Sequence, residues 1–159
     1  MRTKPELLQP RVFLDSSGLI SAVITPRERA PLARLIMLGE QTVVDLRISR
    51  EMISDTERFV QRYDAAMLAK LASLIDQGRM AITPEPSEDT IVRCEALTGY
   101  RPDARILAAA IECAADVLVT FDAVHLLGNP KIKPPEVSVM VLNAQECLDW
   151  CFAQWQSGR

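Results

Sequence analysis

The sequence predicts an α/β domain with three layers, α/β/α, around a central and mostly parallel sheet of about five strands. Three observations predict it. Short β-branched runs recur between longer amphipathic stretches, an alternation that produces a parallel sheet covered on both faces. The runs at 12–14 and 117–121 are rich in apolar residues and each leads into an aspartate, the first reading as a buried strand. The 159 residues are 48% hydrophobic and 25% charged, enough to enclose one core and too apolar for a disordered chain. One domain over 1–159 is expected, its core covering about 11–156, since the chain shows no repeat, low-complexity segment or interdomain linker.

Residues 12–14 form the first strand, and Ser16, Ser17 and Gly18 open a helix with a serine at its N-cap. That helix carries Leu19, Ile20 and Val23 and stops near Thr25 and Pro26. Pro31, in a first turn, starts the next helix through Leu32, Leu35, Ile36 and Leu38, ended by Gly39. Residues 41–47 read as the second strand, with Val43, Val44 and Leu46. Ser49 caps a long helix whose apolar stripe is Met52, Ile53, Thr56, Phe59, Val60 and Tyr63. An alanine-rich helix over 64–77 follows and ends at Gly78. Residues 80–82 are a short strand stopped by Pro84 and Pro86. Ser87 starts a helix through Ile91, Val92, Cys94 and Leu97, closed by Gly99. Pro102 and Asp103 begin the most regular helix, 104–115, and strand 117–120 follows at once. A Pro/Lys loop over 129–136 leads to a last strand, 137–142, and Asn143 caps a helix ending near Trp155.

Composition excludes several function classes. No apolar run reaches the roughly eighteen residues of a membrane span. The first residues are basic but lack the apolar segment of a signal peptide, so a cytoplasmic protein is expected. Cys94, Cys113, Cys147 and Cys151 form no Cys-x-x-Cys pair and sit in apolar helical contexts, as small buried hydrophobes do. With a single histidine, His125, the supply of zinc ligands is poor. A net charge of −3 gives no basic footprint for nucleic acid. Arg27, Arg29, Arg34, Arg47, Arg50, Arg58 and Arg62 are nevertheless concentrated in one stretch, and gathered on one face they would serve a phosphate substrate. Trp150, Phe152 and Trp155 on the last helix are read first as core packing and second as a self-association surface.

Four carboxylates fall at element ends or helix rims. Asp15 ends the first strand, Asp55 borders the apolar stripe of the long helix, Asp103 starts a helix and Asp122 follows the late strand. Ligands collect at the carboxyl ends of parallel strands, and a carboxylate held near a core there needs a positive partner. Hard divalent cations such as Mg²⁺ or Mn²⁺ take oxygen ligands, which suits such a set better than zinc does. Read singly, each acid is also an ordinary cap, turn or surface residue. Asp116 is read as structural, Thr120 as orienting Asp122 or a water, and His125 as packing that could also touch a phosphate.

Taken together, this order resembles the PIN-domain family of metal-dependent nucleases, and the likeness runs over most of the chain. The stretch from Val12 to Ser21 is similar to the family's opening strand with its first acid and small polar residue, here Asp15 and Ser17. Ile48 and Ser49 followed by Asp55 resemble its serine-then-acid helix, although the family usually has glutamate there; Glu51, one turn earlier, is the alternative. Asp103 to Ile111, then Ala115 to Asp122, then His125, Leu126 and Leu127, form the most specific part. The resemblance implies phosphodiester hydrolysis, with Asp15, Asp55, Asp103 and Asp122 as the catalytic, metal-holding acids for one or two Mg²⁺ or Mn²⁺ ions. Two ions about 4 Å apart would activate a water and stabilise the leaving oxygen. It further implies RNA as substrate, in many small members the toxin role of a toxin–antitoxin pair, an antitoxin protein as partner, and a homodimer. A catalytically inactive domain of the same type, binding RNA or a partner protein, is the competing reading. A haloacid-dehalogenase-type phosphatase needs a second aspartate where Ser17 stands, and a phosphotransfer receiver needs paired acids after its first strand, where Ser16 and Ser17 supply none.

Overall fold

The computed structural model describes residues 2–3, 8–24 and 30–158. Five strands, β1 (Arg11–Leu14), β2 (Asp45–Ser49), β3 (Ala81–Thr83), β4 (Val117–Val119) and β5 (Met140–Leu142), form a single sheet in the order β3-β2-β1-β4-β5. Every pairing is parallel, so the sheet is entirely and not just mostly so. Between and after the strands lie α1 (Ser16–Ile24), α2 (Pro31–Glu40), α3 (Arg50–Asp64), α4 (Leu68–Gln77), α5 (Glu88–Thr98), α6 (Arg101–Glu112) and α7 (Ala144–Ser157).

The chain leaves β1 toward β2 and β3, then crosses back over the sheet to β4. Right-handed crossovers therefore place α1 to α4 on one face and α5 and α6 on the other. Helix contacts agree: α1 packs on α3, α2 on α7, and α5 on α6, which in turn lies on β4. Val12, Phe13, Leu14, Val117, Leu118 and Val119 are fully buried between the layers. Burial on both faces explains why those strands are unbroken apolar runs.

Several boundaries differ from the sequence expectation. The second strand is Asp45–Ser49, four residues later at its start than predicted. Residues 41–44 instead turn back on α2, with Thr42 at φ 60° and the Val43 and Val44 N–H groups donating to the Leu38 carbonyl. Val44 is apolar because it is buried in that turn, not because it pairs in a ladder. The last strand is only Met140–Leu142; Val137 and Val139 are buried in the preceding loop. Residues 65–67 form a separate 3₁₀ turn before α4, with Asp64 accepting from the Ala66 N–H. The predicted stop of the first helix at Thr25 and Pro26 lies outside the described residues. Gly39 permits a close approach of α2, β2 and α4: a Cβ there would sit 2.5 Å from the Gly78 carbonyl oxygen and 2.6 Å from Leu46 Cδ1.

The N-cap expectations hold at Ser49 and Asn143, and Ser87 caps the helix it is expected to start. By contrast, α1 already includes Ser16 and Ser17, so neither serine is its N-cap. Ser49, Ser87 and Asn143 accept from the N–H groups of Met52, Thr90 and Glu146, and Glu146 completes a capping box. Cys94, Cys147 and Cys151 are buried and all four cysteines are free. Trp150 and Trp155 pack against the core, Trp155 Nε1 donating to the Leu8 carbonyl at 2.8 Å, while Phe152 stays half exposed beside Trp155. Among the described residues, no helix is long and apolar enough to cross a membrane.

Candidate metal centre

The strand order reverses between β1 and β4, and in open parallel sheets the crevice outside the carboxyl ends of such a pair is where ligands bind. Leu14 pairs with Val119, and the Asp15 N–H continues the ladder to the Val119 carbonyl at 3.0 Å. Asp15 and Thr120 thus emerge side by side, 105 residues apart in sequence.

Asp15 is 4% exposed and accepts three hydroxyl donors: Thr120 at 2.8 Å and Ser17 at 3.2 Å on Oδ2, and Ser16 at 3.3 Å on Oδ1. The Thr120 hydroxyl, fully buried, also accepts from the Asp122 N–H at 3.0 Å. The sequence reading has Thr120 orienting Asp122 or a water; its hydroxyl bonds the Asp122 backbone N–H and, beyond that reading, the Asp15 carboxylate. Asp122 turns back on its own loop, Oδ1 accepting from the N–H groups of Val124 at 2.8 Å and His125 at 3.1 Å. That turn delivers the His125 ring to the acids, its Nδ1 2.8 Å from Asp103 Oδ2 and 3.6 Å from Asp122 Oδ2.

Asp103 reaches the same place from the opposite layer. It lies in the first turn of α6, which starts at the carboxyl edge because α5 and α6 form an antiparallel hairpin; Glu112 at the far end of α6 accepts from the Ser87 N–H at the start of α5. Ligand atoms of Asp103, Asp122 and His125 lie within 4.8 Å of one another. His125 is the member that sequence reasoning placed in packing. The missed signal was its spacing, three residues after Asp122 in an Asx-type turn that folds the ring back.

The electrostatics of the group are those of crowded, partly buried carboxylates. Burial pushes the Asp103 carboxyl up to about 7, reinforced by a hydrogen bond and charge from Asp122 and by the charge of Asp15, and opposed by His125. Burial also pushes Asp122 upward, but the Asp103 proton and the N–H groups of His125 and Val124 outweigh it and hold that carboxyl below its usual range. The two acids share one proton, because two adjacent carboxylates do not both ionise readily. Asp103 Oδ2 is buried without an aligned donor: His125 Nδ1 is close to it but out of line for a ring N–H bond. Among the described residues, no arginine or lysine pairs with Asp15, Asp103 or Asp122. An orphaned buried acceptor amid excess negative charge fits a divalent cation. With one imidazole beside the carboxylates, the donor set suits Mn²⁺ as well as Mg²⁺.

Asp55 is not drawn into this group by any contact it makes. Its half-exposed carboxylate on α3 pairs with Arg58. Glu51, one turn earlier, pairs with Arg105 Nη1 at 3.0 Å, so it faces α6, the helix that also carries Asp103. Within the arginine stretch, Arg47 and Arg58 are held apart on different elements. Arg47 is held by Asp45 in the sheet, Arg58 by Asp55 on α3, and Arg27 and Arg29 lie outside the described residues.

No protein-family profile matches the chain, and no curated protein matches it. Among solved structures it is similar to the crystal structure of PAE2754 from Pyrobaculum aerophilum, with a TM-score of 0.61 over 91% of this chain and 96% of that one. At 16% sequence identity that likeness is one of fold alone.

Proposed function

We propose that this chain is a divalent-metal-dependent nuclease of the PIN type, an endoribonuclease that hydrolyses phosphodiester bonds at the carboxyl edge of its sheet. The observation that carries the reading is Asp103 Oδ2, a buried carboxylate oxygen without an aligned donor, facing Asp122 and His125 at the β1/β4 reversal. Asp103, Asp122 and Asp15 are the residues that would hold Mg²⁺ or Mn²⁺, with Asp55 as the fourth acid of the resemblance. A bound ion of this kind lowers the pKa of a water and neutralises charge on a phosphoryl oxygen. The chain's own residues do the rest. Ser16, Ser17 and Thr120 lock Asp15 in one orientation, and the Asx turn fixes Asp122, so that the acids are arranged before substrate arrives. Asp103, whose carboxyl retains a proton to about pH 7, gives that proton up when a cation enters. The same resemblance supplies the proposed setting: a cytoplasmic toxin acting on RNA as a homodimer, restrained by an antitoxin.

A second reading, a PIN-like domain that binds RNA or a protein without cutting it, is favoured by one observation. Asp55 and Glu51 are both neutralised by arginines, which leaves the α3 side of the crevice without an available carboxylate. Calorimetric titration with Mn²⁺, followed by cleavage of a mixed RNA set by wild type, Asp103→Asn and Asp15→Asn, separates the two. The nuclease reading expects metal binding and cleavage that both variants lose. Metal binding without cleavage selects the second reading, and no metal binding with cleavage unchanged in the variants overturns the first.

A further inference from the structure

Tyr100 is stacked on the face of His125, the ring centroids 4.8 Å apart and the planes within 18°. It retains 48% of its surface, although it lies against a ring whose Nδ1 is 2.8 Å from a buried acid. Its backbone is also held firmly. Gly99 takes the left-handed conformation at φ 70°, which turns the chain sharply out of α5. The Thr98 hydroxyl then both donates to the Tyr100 carbonyl, at 3.0 Å, and accepts from its N–H, at 3.3 Å. The loop beneath is bolted to the same place, since Asn129 Nδ2 donates to both the His125 and the Leu97 carbonyls. Both rings of the stack are thus fixed from the backbone outward, immediately beside the acids, and Tyr100 stays half exposed.

We propose that Tyr100 is a positioning residue: its half-exposed ring stacks an unpaired base of the RNA strand and so seats the neighbouring phosphate over Asp103, Asp122 and Asp15. This rests on the nuclease reading above and adds to it what holds the nucleotide. Among the described residues no arginine or lysine pairs with these acids, so a polyanion gains from an attraction besides that of a bound cation. Base–aromatic stacking supplies one, tolerant of sequence and confined to bases that are not already paired.

The test uses a mixed-sequence single-stranded RNA carrying 2-aminopurine, with Mn²⁺ present, and reads fluorescence on mixing, before turnover. Wild type is expected to quench the probe and a duplex of the same sequence is not. Tyr100→Ala should lose the quenching and raise KM about tenfold or more, with kcat within about threefold of wild type. Tyr100→Phe and Tyr100→Trp should restore both, which a merely structural loss would not allow. Calorimetric Mn²⁺ binding by Tyr100→Ala shows that the His125 and Asp103 arrangement survives. Equal quenching by wild type and Tyr100→Ala, failure of the phenylalanine to rescue, or a fall in kcat at unchanged KM would each overturn the proposal. If wild type quenches through Tyr100 but cuts no RNA, the stacking role stands and the nuclease reading falls; if it cuts RNA without Tyr100-dependent quenching, the reverse holds.

Discussion

Asp45 and Asp116 at the amino end of the sheet, and Asp15 and Asp122 at its carboxyl end, are the same residue type at mirrored addresses, yet their surroundings are opposite. Asp45 is clamped between Arg11 and Arg47, both within 2.9 Å, and Asp116 accepts from Arg2 at 2.6 Å and from the Arg11 N–H at 2.8 Å. At the carboxyl end the donors to Asp15 and Asp122 are hydroxyls and backbone N–H groups. Burial raises the carboxyl of Asp45 too, but the two arginines outweigh it and leave the group below its usual range. Burial alone therefore does not mark a site in this protein. What sets the carboxyl-end acids apart, among the described residues, is burial without an arginine or lysine partner.

The sharpest way to break the contrast is Asp103→Asn. It should reduce RNA cleavage by more than about 100-fold, since even outer-shell partners of a metal are worth about 10–100-fold. The same change should raise the stability of the metal-free protein at pH 8. A carboxyl raised to about 7 in the folded state favours folding in its protonated form. Its contribution is therefore fully present below the unfolded value near 4 and declines as pH rises through about 7. Thermal unfolding from pH 4 to 8 without metal should show that decline in wild type and its absence in Asp103→Asn, and Mn²⁺ should reverse it in wild type alone.

Thr120→Val comes next. It keeps the shape but removes the donor to Asp15 and the acceptor for the Asp122 N–H, so metal affinity measured by calorimetry should fall about 10- to 100-fold with little change in fold by circular dichroism. Asp55→Asn should cost about tenfold or less in cleavage, because Arg58 already neutralises that acid. A loss equal to that of Asp103→Asn would instead place Asp55 fully in the metal shell, and Glu51→Gln measured beside it tells which α3 acid contributes. The smallest effect on activity belongs to the other end of the sheet. Asp45→Asn should leave cleavage intact and lower stability at pH 7 by about 1–2 kcal/mol. Because the folded pKa of Asp45 lies below its unfolded value, that difference should vanish as pH falls below about 4.

The contrast also explains what could be read from the residues alone. The apolar runs that end in Asp15 and lead into Asp122 announced central strands and their acids, because complete burial leaves a one-letter signature. The start of β2 was not legible: Val43 and Val44 look like strand residues, and only the turn onto Leu38 shows that burial there is met by a loop. Asp55 had the right register along its helix, but a register says nothing of whether a neighbouring arginine takes the charge. His125 escaped for a related reason. Its place depends on an Asx turn and on Tyr100, which lies 25 residues earlier and meets it only through the hairpin of α5 and α6.

The reversal of strand order between β1 and β4 has a bearing on synthesis. Asp15 and the Thr120 that locks it are 105 residues apart, an interval of about 5–20 s at ordinary translation rates. Throughout that time β1 has its β4 edge open, and the emerging chain carries acids that no pocket yet assembles. Asp15 and Asp122 come side by side only when β4 closes that seam.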